Sequence, residues 1–385
     1  MSSARLSSGA RKRLGFLGAL VALTVLGHAM VAFSALTLAQ LIEFRALVSA
    51  RTWGLVVLAW CVLGLLLSLQ RLRWLFHDRV RPRALVVGIQ LVYCHFLGVL
   101  LAVPLAPLGL AVALPFGVPE AFGWLAYLLG VILASYGVFV RRRWVLVREV
   151  EVPLAELPPG LDGLRIAHLS DLHIGSFDPQ AVGARWARRV RALKPDLVAV
   201  TGDLVTSGTA FYPQVAAVLS ELEAPLGVHV ILGNHDQWDR AELKVALARR
   251  GVPALENEWV EVGEGERRLV VAGLGDPFTQ SADLERTLVD RPPGFTLLLS
   301  HYPSWARRAE PYGAELMLSG HTHGGQVGLP WLPRMNAASL TGQYPRGLFS
   351  VGRMWLYVTS GLGTSGPPIR LGVAPEIALL VLRRA

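Results

Sequence analysis

The order of apolar and polar positions divides the chain into two unlike parts. In the first 143 residues, long apolar stretches run at about 14–42, 53–69, 84–103 and 121–140. A helix needs about 20 mainly apolar residues to cross the hydrocarbon core of a bilayer. The pattern therefore predicts a transmembrane region of four helices over 1–143, with three spans or a re-entrant segment near 103–116 as the alternative.

The first apolar stretch follows a basic cluster at 11–13, as the apolar part of a cleaved signal peptide would. A signal peptide, however, has an apolar run of only about 7–15 residues, whereas this run continues to about residue 42. Further apolar stretches also follow it along the chain. We therefore interpret the first stretch as a retained membrane anchor.

From about residue 144 the pattern changes to short apolar runs that alternate with amphipathic stretches. Strands are predicted at 164–169, 196–200, 228–232, 268–272, 296–299 and 315–318, and helices at 179–193, 212–223 and 239–250. Strands that alternate with helices of about 10–15 residues are typical of βαβ units. Residues 348–382 contain strand-like runs and no clear helix. The fold class predicted for 144–385 is α/β, a sandwich of mixed sheets with helices outside.

Charge separates the same two parts. Of the 385 residues, 52% are hydrophobic and 17% are charged, and the formal net charge is +9. The first 150 residues hold 15 Lys and Arg against four acidic residues, whereas the remaining residues hold 22 basic against 24 acidic side chains. Because a nucleic-acid interface needs a basic face, we predict no nucleic-acid binding by the second part.

Basic side chains flank the apolar stretches unevenly. With four spans and the N-terminus inside, the cytoplasmic side collects thirteen Lys and Arg and the outer side two. In membrane proteins the cytoplasmic loops carry the excess of Lys and Arg. We therefore expect a multi-pass protein, integral to the inner, cytoplasmic membrane of the cell, with residues 144–385 in the cytoplasm.

Polar side chains follow five of the predicted strands, at the point where each strand ends. These residues are Asp171, His173, Asp203, Asn234, His235, Asp236, His301, His321 and His323. Taken singly, an Asp after a strand is commonly a helix cap or a turn residue. Ligands of open α/β sheets bind outside the carboxyl ends of the strands. The whole set at these ends therefore predicts one functional site.

The chemistry of this set indicates metal ions. Imidazole and carboxylate ligands without cysteine suit divalent Mn, Fe, Zn or Co. A closed zinc site takes four protein ligands, and the present set is larger. We therefore predict two divalent metal ions as cofactors, and the oligomeric state stays open.

Five short motifs follow one another in a fixed order along the second part. They are Asp-x-His at 171–173, Gly-Asp at 202–203, Gly-Asn-His-Asp at 233–236, His at 301 and Gly-His-Thr-His at 320–323. In this arrangement residues 160–385 resemble the calcineurin-like metallophosphoesterases, whose sandwich has two mixed sheets flanked by helices. The runs 320–327 and 361–367 resemble the branch that contains the bacterial YkuE- and YaeI-type proteins. The added spans resemble its members described as transmembrane proteins with a metallophosphoesterase domain.

The resemblance implies a role for each residue of the set. The first metal would be held by Asp171, His173 and His323, the second by Asn234, His301 and His321, and both by Asp203. His235 would contact the phosphate and help to protonate the leaving oxygen. Asp236 would either orient His235 or cap the next helix. Many members have a second Asp where this chain has Thr206, so we expect altered surroundings of the site and a retained activity.

Two divalent ions about 3.5–4 Å apart can share a hydroxide and hold both oxygens of an in-line displacement. We therefore expect a membrane-anchored dinuclear-metal hydrolase that cleaves phosphoester or pyrophosphate bonds by attack of this hydroxide. The favoured activity is that of a phosphodiesterase, on a phosphate-ester or lipid-linked substrate. One alternative is a pyrophosphatase of UDP-2,3-diacylglucosamine, a substrate that some relatives cleave in lipid A synthesis. The alternative of another class is a non-enzymatic binding or sensing module in the membrane.

Overall fold

The computed structural model describes residues 8–41, isolated positions between 55 and 66, and residues 78–329, 332–336 and 344–385. The chain forms two compact units. One unit comprises Met1–Trp74 and Val87–Val138, and the other comprises Leu75–Val86 and Phe139–Ala385. The segment 75–86 therefore belongs with the unit that contains the predicted site, although the apolar pattern includes it in the membrane region 1–143.

Long apolar helices dominate the described part of the first unit. The helices are α1 (Ser8–Leu41), α2 (Arg83–Ala113) and α3 (Phe122–Ser135). Within the described residues, three segments are long and apolar enough to cross a membrane, namely Val21–Leu38, Arg83–Phe116 and Pro119–Arg143. They coincide with the first, third and fourth predicted spans. The second predicted span, 53–69, lies almost wholly outside the described residues, so the number of four spans stays a prediction.

Helix α2 runs past the predicted end of the third span. The apolar pattern predicts this end at about Val103, but the helix continues through Pro104 and Pro107 to Ala113. Proline removes a backbone hydrogen bond and bends a helix, yet membrane helices tolerate it because neighbouring groups satisfy the freed carbonyls. The helical path ends at Gly117, whose φ of 67° is left-handed and whose N–H donates to Leu114 O. Residues 103–113 therefore continue the helix of the third predicted span, while the alternative of a re-entrant segment near 103–116 stays open.

Fourteen strands and five helices form the described part of the second unit, apart from short 3-10 turns. The strands are β1 (Leu146–Leu154), β2 (Arg165–Leu169), β3 (Leu197–Thr201), β4 (Val228–Ile231), β5 (Ala254–Leu255), β6 (Glu258–Val262), β7 (Leu269–Gly273), β8 (Thr296–Leu299), β9 (Leu316–Ser319), β10 (Gly328–Leu329), β11 (Leu332–Asn336), β12 (Gly347–Val351), β13 (Met354–Val358) and β14 (Glu376–Arg384). The helices are α4 (Gln180–Ala192), α5 (Tyr212–Leu219), α6 (Arg240–Ala248), α7 (Leu284–Leu288) and α8 (Ala306–Ala309).

Two mixed six-stranded sheets organise these strands, which confirms the predicted fold class. The first sheet has the order β1-β14-β2-β3-β4-β5 and the second β12-β13-β9-β8-β7-β6. One apolar cluster lies between the sheets and contains Ile166 of the first sheet and Leu297 of the second. Because side chains alternate across a strand, the next residue, Ala167, faces the other way and packs with the helices on the outer face.

Amphipathic helices cover the outer face of the first sheet. Helix α4 buries Val182, Trp186 and Val190, which are four residues apart and so share one helix face. These side chains pack in the same cluster as Val198 and Val200 of β3. Both faces of the central strands are therefore buried, which is why these strands are continuous apolar runs in the sequence.

The strands that precede the polar motifs are parallel to their neighbours. Strands β2, β3 and β4 pair in parallel, and so do β8 and β9. The carboxyl ends of parallel strands meet at one edge of a sheet, where ligands bind in open α/β folds. The fold therefore brings the turns that follow these five strands close to one another.

Candidate metal centre

Strained backbone marks the turns at this edge. Nine residues other than glycine have positive φ in the described part of the chain, and five of them belong to the predicted ligand set: Asp171 (53°), His173 (45°), Asp203 (53°), His321 (69°) and His323 (51°). Such conformations cost about 1–3 kcal/mol each and persist where the surrounding structure imposes them, mostly at functional sites. The turns are therefore shaped to aim these side chains and not for local stability.

The side chains converge in two groups that share one carboxylate. One group contains Asp171, His173, Asp203 and His323, and the other Asp203, His301 and His321. Within each group the potential ligand atoms lie within 4.8 Å of one another. Asp203 belongs to both groups, which is the arrangement that a pair of metal ions with a bridging carboxylate requires.

The donor atoms of the first group fit a cation. Nε2 of His173 and Nε2 of His323 lie 3.1 Å apart, and both side chains are buried. His323 Nε2 also lies 3.2 Å from Asp171 Oδ1. Nitrogen lone pairs and carboxylate oxygens that face one another away from water are costly unless a positive charge lies among them. Imidazole and carboxylate donors suit divalent Mn, Fe, Co or Zn, so this group fits the predicted metal.

The second group has the same character. His301 Nδ1–H donates to Thr201 O at 2.7 Å, which leaves Nε2 directed at Asp203 Oδ2 at 3.3 Å. Among the described residues, this buried Nε2 has no hydrogen-bond partner of normal geometry. A histidine that ligates a metal commonly donates its other N–H to a carbonyl or carboxylate in this way. The His301 ring is thus fixed by Thr201 O, with Nε2 directed at the shared carboxylate.

Burial and neighbouring charges together set the protonation of the ligand set. Burial lowers the pKa of His173 to about 3 and that of His321 to about 4, so both imidazoles are neutral at pH 7 and keep a lone pair for a metal. Burial also raises the pKa of Asp171 to about 6.

At the shared carboxylate of Asp203, burial also acts to raise the pKa, but the neighbouring His301 and His235 lower it well below the usual value. For His301, burial acts to lower the pKa, but Asp203 and Asp171 raise it to about 10. The shared carboxylate of Asp203 is therefore ionised at neutral pH and is stabilised by positive charge beside it.

The two remaining predicted residues lie against the same groups. Asn234 Oδ1 accepts a hydrogen bond from Tyr302 Oη at 3.1 Å, and the Tyr302 ring packs on His321 with centroids 4.0 Å apart. The backbone N–H of His235 donates to Asp203 Oδ1 at 2.8 Å, and its ring lies 4.7 Å from that of His173. All eight predicted site residues therefore lie at one place, while their individual roles stay predictions.

Comparison with known proteins identifies the family of the domain that contains this site. The sequence model of the calcineurin-like phosphoesterases matches residues 164–325, which include both groups of potential ligands. The chain carries a calcineurin-like metallophosphoesterase domain.

Curated relatives agree with this domain. A "Transmembrane protein with metallophosphoesterase domain" from Bos taurus is 32% identical over 280 residues, which are 68% of this chain and 62% of that protein. The chain thus spans less than two thirds of the length of this relative. The "Uncharacterized metallophosphoesterase YkuE" from Bacillus subtilis is 29% identical over 65% of this chain and 89% of that protein. The "UDP-2,3-diacylglucosamine pyrophosphatase LpxG" from Chlamydia trachomatis is 28% identical over 57% and 84%. The predicted metallophosphoesterase domain is confirmed, and the chain is similar to relatives named as transmembrane proteins with this domain and to a YkuE-type protein.

Asp236 has a role in the metallophosphoesterase domain that the sequence does not reveal. The next helix, α6, is capped by Asp239 and not by Asp236. The Asp236 carboxylate is buried and accepts hydrogen bonds from three backbone N–H groups, those of Gly233 at 2.8 Å, Leu204 at 2.8 Å and Val205 at 3.2 Å. Asp236 therefore fastens the turn after β4 to the turn that carries Asp203.

The Asp236→Ala substitution should destabilise the domain strongly. It leaves three buried N–H groups without an acceptor, and each costs about 1–3 kcal/mol, so we expect the free energy of unfolding to fall by about 3 kcal/mol or more. Asp239→Ala is the matched control, because it removes only a helix cap worth about 1 kcal/mol. Thermal unfolding of the full chain in detergent measures both losses. Equal losses for the two variants would contradict this role of Asp236.

Arg370 is a second residue that the sequence analysis misses. Its side chain is fully buried and donates to backbone carbonyls, namely Gly363 O at 2.6 Å and Gly361 O at 3.2 Å through one terminal nitrogen. The other terminal nitrogen lies 3.4 Å from His323 O. Burial lowers the pKa of Arg370 to about 10, so the guanidinium stays charged at neutral pH. It joins the turn after β13 to the turn that carries His323.

Proposed function

We propose that the chain is a membrane-anchored dinuclear-metal hydrolase of phosphoester or pyrophosphate bonds. The observation that carries the proposal is the shared position of Asp203 in two groups of buried potential ligands. Asp171, His173 and His323 would complete one site with Asp203, and Asn234, His301 and His321 the other. Two divalent ions, when bound, would supply an activated water and neutralise the charge that develops on the phosphate oxygens.

The protein residues would then bind and protonate the substrate. His235 Nδ1–H donates to Thr206 O at 2.5 Å, which fixes the ring and directs Nε2 away from this carbonyl. Nε2 lies 3.4 Å from Ser365 Oγ, a hydroxyl that can rotate away when a substrate binds. In the proposed reaction His235, as the imidazolium with a proton on both nitrogens, contacts the phosphate and donates its Nε2 proton to the departing oxygen, as a general acid does.

Two substrate classes are candidates for this site. A phosphodiester is the first candidate, since no part of the argument for the site requires more than one phosphoryl group. A lipid-linked pyrophosphate is the second candidate. Similarity to a UDP-2,3-diacylglucosamine pyrophosphatase supports it, and so do three apolar helices that are long enough to cross a membrane.

The place of the enzyme is part of the proposal. The excess of Lys and Arg favours an inner-membrane, multi-pass protein with its metallophosphoesterase domain in the cytoplasm. A reporter fused to the C-terminus should then be active only if it works in the cytoplasm. Activity confined to a reporter that works outside the cytoplasm would contradict this orientation.

Hydrolysis by the full chain in detergent tests the function. The protein is loaded with Mn²⁺ and given a phosphomonoester, a phosphodiester and UDP-2,3-diacylglucosamine, with the Asp203→Asn variant beside it. We expect turnover that the variant lacks, and the preferred substrate separates the two candidates. Bound metal without turnover of any substrate would instead favour a non-enzymatic binding or sensing module.

A further inference from the structure

Asp78 lies between the second and third predicted spans, yet it contacts the metallophosphoesterase domain. Its carboxylate Oδ2 accepts a hydrogen bond from Ser176 N at 2.8 Å, and Oδ1 accepts one from Ser176 Oγ at 2.5 Å. Its own backbone N–H donates to Ser207 Oγ at 2.8 Å. These bonds join Asp78 to the second unit, to which it belongs.

The two serines lie on the turns that follow the central ligands. Ser176 comes three residues after His173, and Ser207 comes four residues after Asp203. The two turns are themselves joined, because His173 N donates to Asp203 O at 3.0 Å and Thr206 Oγ1 donates to His173 O at 2.8 Å. Asp78 therefore contacts two turns that are also hydrogen-bonded to each other.

Gly175 leaves the room that this carboxylate occupies. A Cβ atom at position 175 would collide with Asp78 Oδ2 and, at 2.5 Å, with Thr206 Oγ1. The missing side chain lets the carboxylate reach Ser176 beside the Thr206 hydroxyl. The turn after His173 is thus shaped to receive Asp78.

The same turns hold the predicted catalytic histidine. His235 Nδ1–H donates to Thr206 O at 2.5 Å, so the position of this carbonyl determines the direction of the imidazole. Thr206 lies between Val205, which bridges to Ile174, and Ser207, which binds Asp78. A chain of direct hydrogen bonds and backbone connections therefore leads from Asp78 to the His235 ring.

We propose that Asp78 is a positioning residue of this enzyme. Its carboxylate fixes the turns after His173 and Asp203 so that Thr206 O holds His235 in the orientation needed for proton donation. The proposal rests on the function proposed above, and it adds that a segment between two predicted spans completes the active site.

Variants of the full chain in detergent test the proposal. We expect Asp78→Ala to lower kcat by about 10–100-fold, the usual effect of losing an outer partner of a metal-site residue. The metal content and KM should stay unchanged, because no predicted ligand is removed. Asp78→Asn keeps one acceptor and should lose less. Arg79→Ala is the matched control in the same segment, since its side chain is exposed, and it should leave kcat unchanged.

A double-mutant cycle separates positioning from a structural role. If Asp78 acts through His235, Asp78→Ala should have no further effect on kcat in a chain that already carries His235→Ala. The same cycle is run on the dissociation constant of inorganic phosphate, so that the coupling is measured even if no tested ester is hydrolysed. Coupling to phosphate without hydrolysis would overturn the proposed function and retain the positioning role. Additive effects in both measurements, or loss of metal from Asp78→Ala, would overturn the role of Asp78.

Discussion

The Asp203→Asn variant should lose both metal ions together. Asp203 is the carboxylate that the two groups of potential ligands share, and its oxygen Oδ2 lies 3.3 Å from His301 Nε2 and 3.7 Å from His173 Nε2. An amide of the same shape offers one neutral oxygen in place of two that share a negative charge. We therefore expect turnover to fall by more than the roughly 100-fold that follows the loss of an outer partner of a ligand.

Asp239→Asn is the control for this change. It is the same substitution at an exposed position, and Asn caps a helix about as well as Asp, so metal content and turnover should stay at the level of the unchanged chain. Elemental analysis and hydrolysis of one phosphodiester measure both variants. If Asp203→Asn lost only one ion and kept the other at full occupancy, Asp203 would not be a bridging ligand.

His235→Ala should retain both metal ions and lose turnover, whereas Asp203→Asn should lose both the metal ions and turnover. Among the described residues the His235 ring touches the site through Thr206 O, Ser365 Oγ and the face of His173, and it does not belong to either group of potential ligands. Loss of a general acid usually costs about 10²–10⁴-fold in rate. The loss should be large for a diester with an alkyl alcohol as leaving group and much smaller for one with an acidic phenol, which departs without a proton.

His229→Gln is the matched control for His235→Ala. His229 lies on β4, six residues earlier, and binds Leu226 O at 2.8 Å, away from the metal groups. Its replacement should leave kcat unchanged for both esters. An equal loss of kcat for the alkyl and phenyl diesters in His235→Ala would show that His235 does not protonate the leaving oxygen.

Most of the site could be predicted from the sequence, because its residues lie in short motifs that directly follow strands. Strands β2, β3, β8 and β9 are buried on both faces, so each is a short continuous apolar run. The polar motif follows directly where each run ends. Parallel pairing then brings the motifs together at one edge of the sheets. The α/β pattern alone is enough to predict this meeting of the motifs, without any information on long-range contacts.

Residues that support the site were not predictable in the same way. Asp236 is defined by three N–H groups on two turns, and Arg370 by carbonyls of turns far apart in sequence. Asp78 lies 98 residues before its partner Ser176. Such roles depend on tertiary contacts that no local pattern encodes. The sequence pattern predicted an orienting or capping role for Asp236 and no role for Arg370 or Asp78.

Strand β1 was not predicted and helix α2 was ended too early, each for a physical reason. Strand β1 (Leu146–Leu154) is mostly exposed along its first half, so it lacks the apolar run that marks the central strands, and its pairing with β14 is remote in sequence. Helix α2 was ended too early because Pro104 and Pro107 are strong helix breakers in soluble proteins and weak ones in membrane helices.

The most direct test of a dinuclear centre is the number and the coupling of metal ions in the unchanged full chain. The protein in detergent is loaded with Mn²⁺, freed of excess metal and measured by elemental analysis and by electron paramagnetic resonance. Two ions per chain with a magnetically coupled spectrum are expected, because one carboxylate, Asp203, belongs to both groups of ligands. One ion per chain, or two ions without coupling, would contradict a centre that Asp203 bridges.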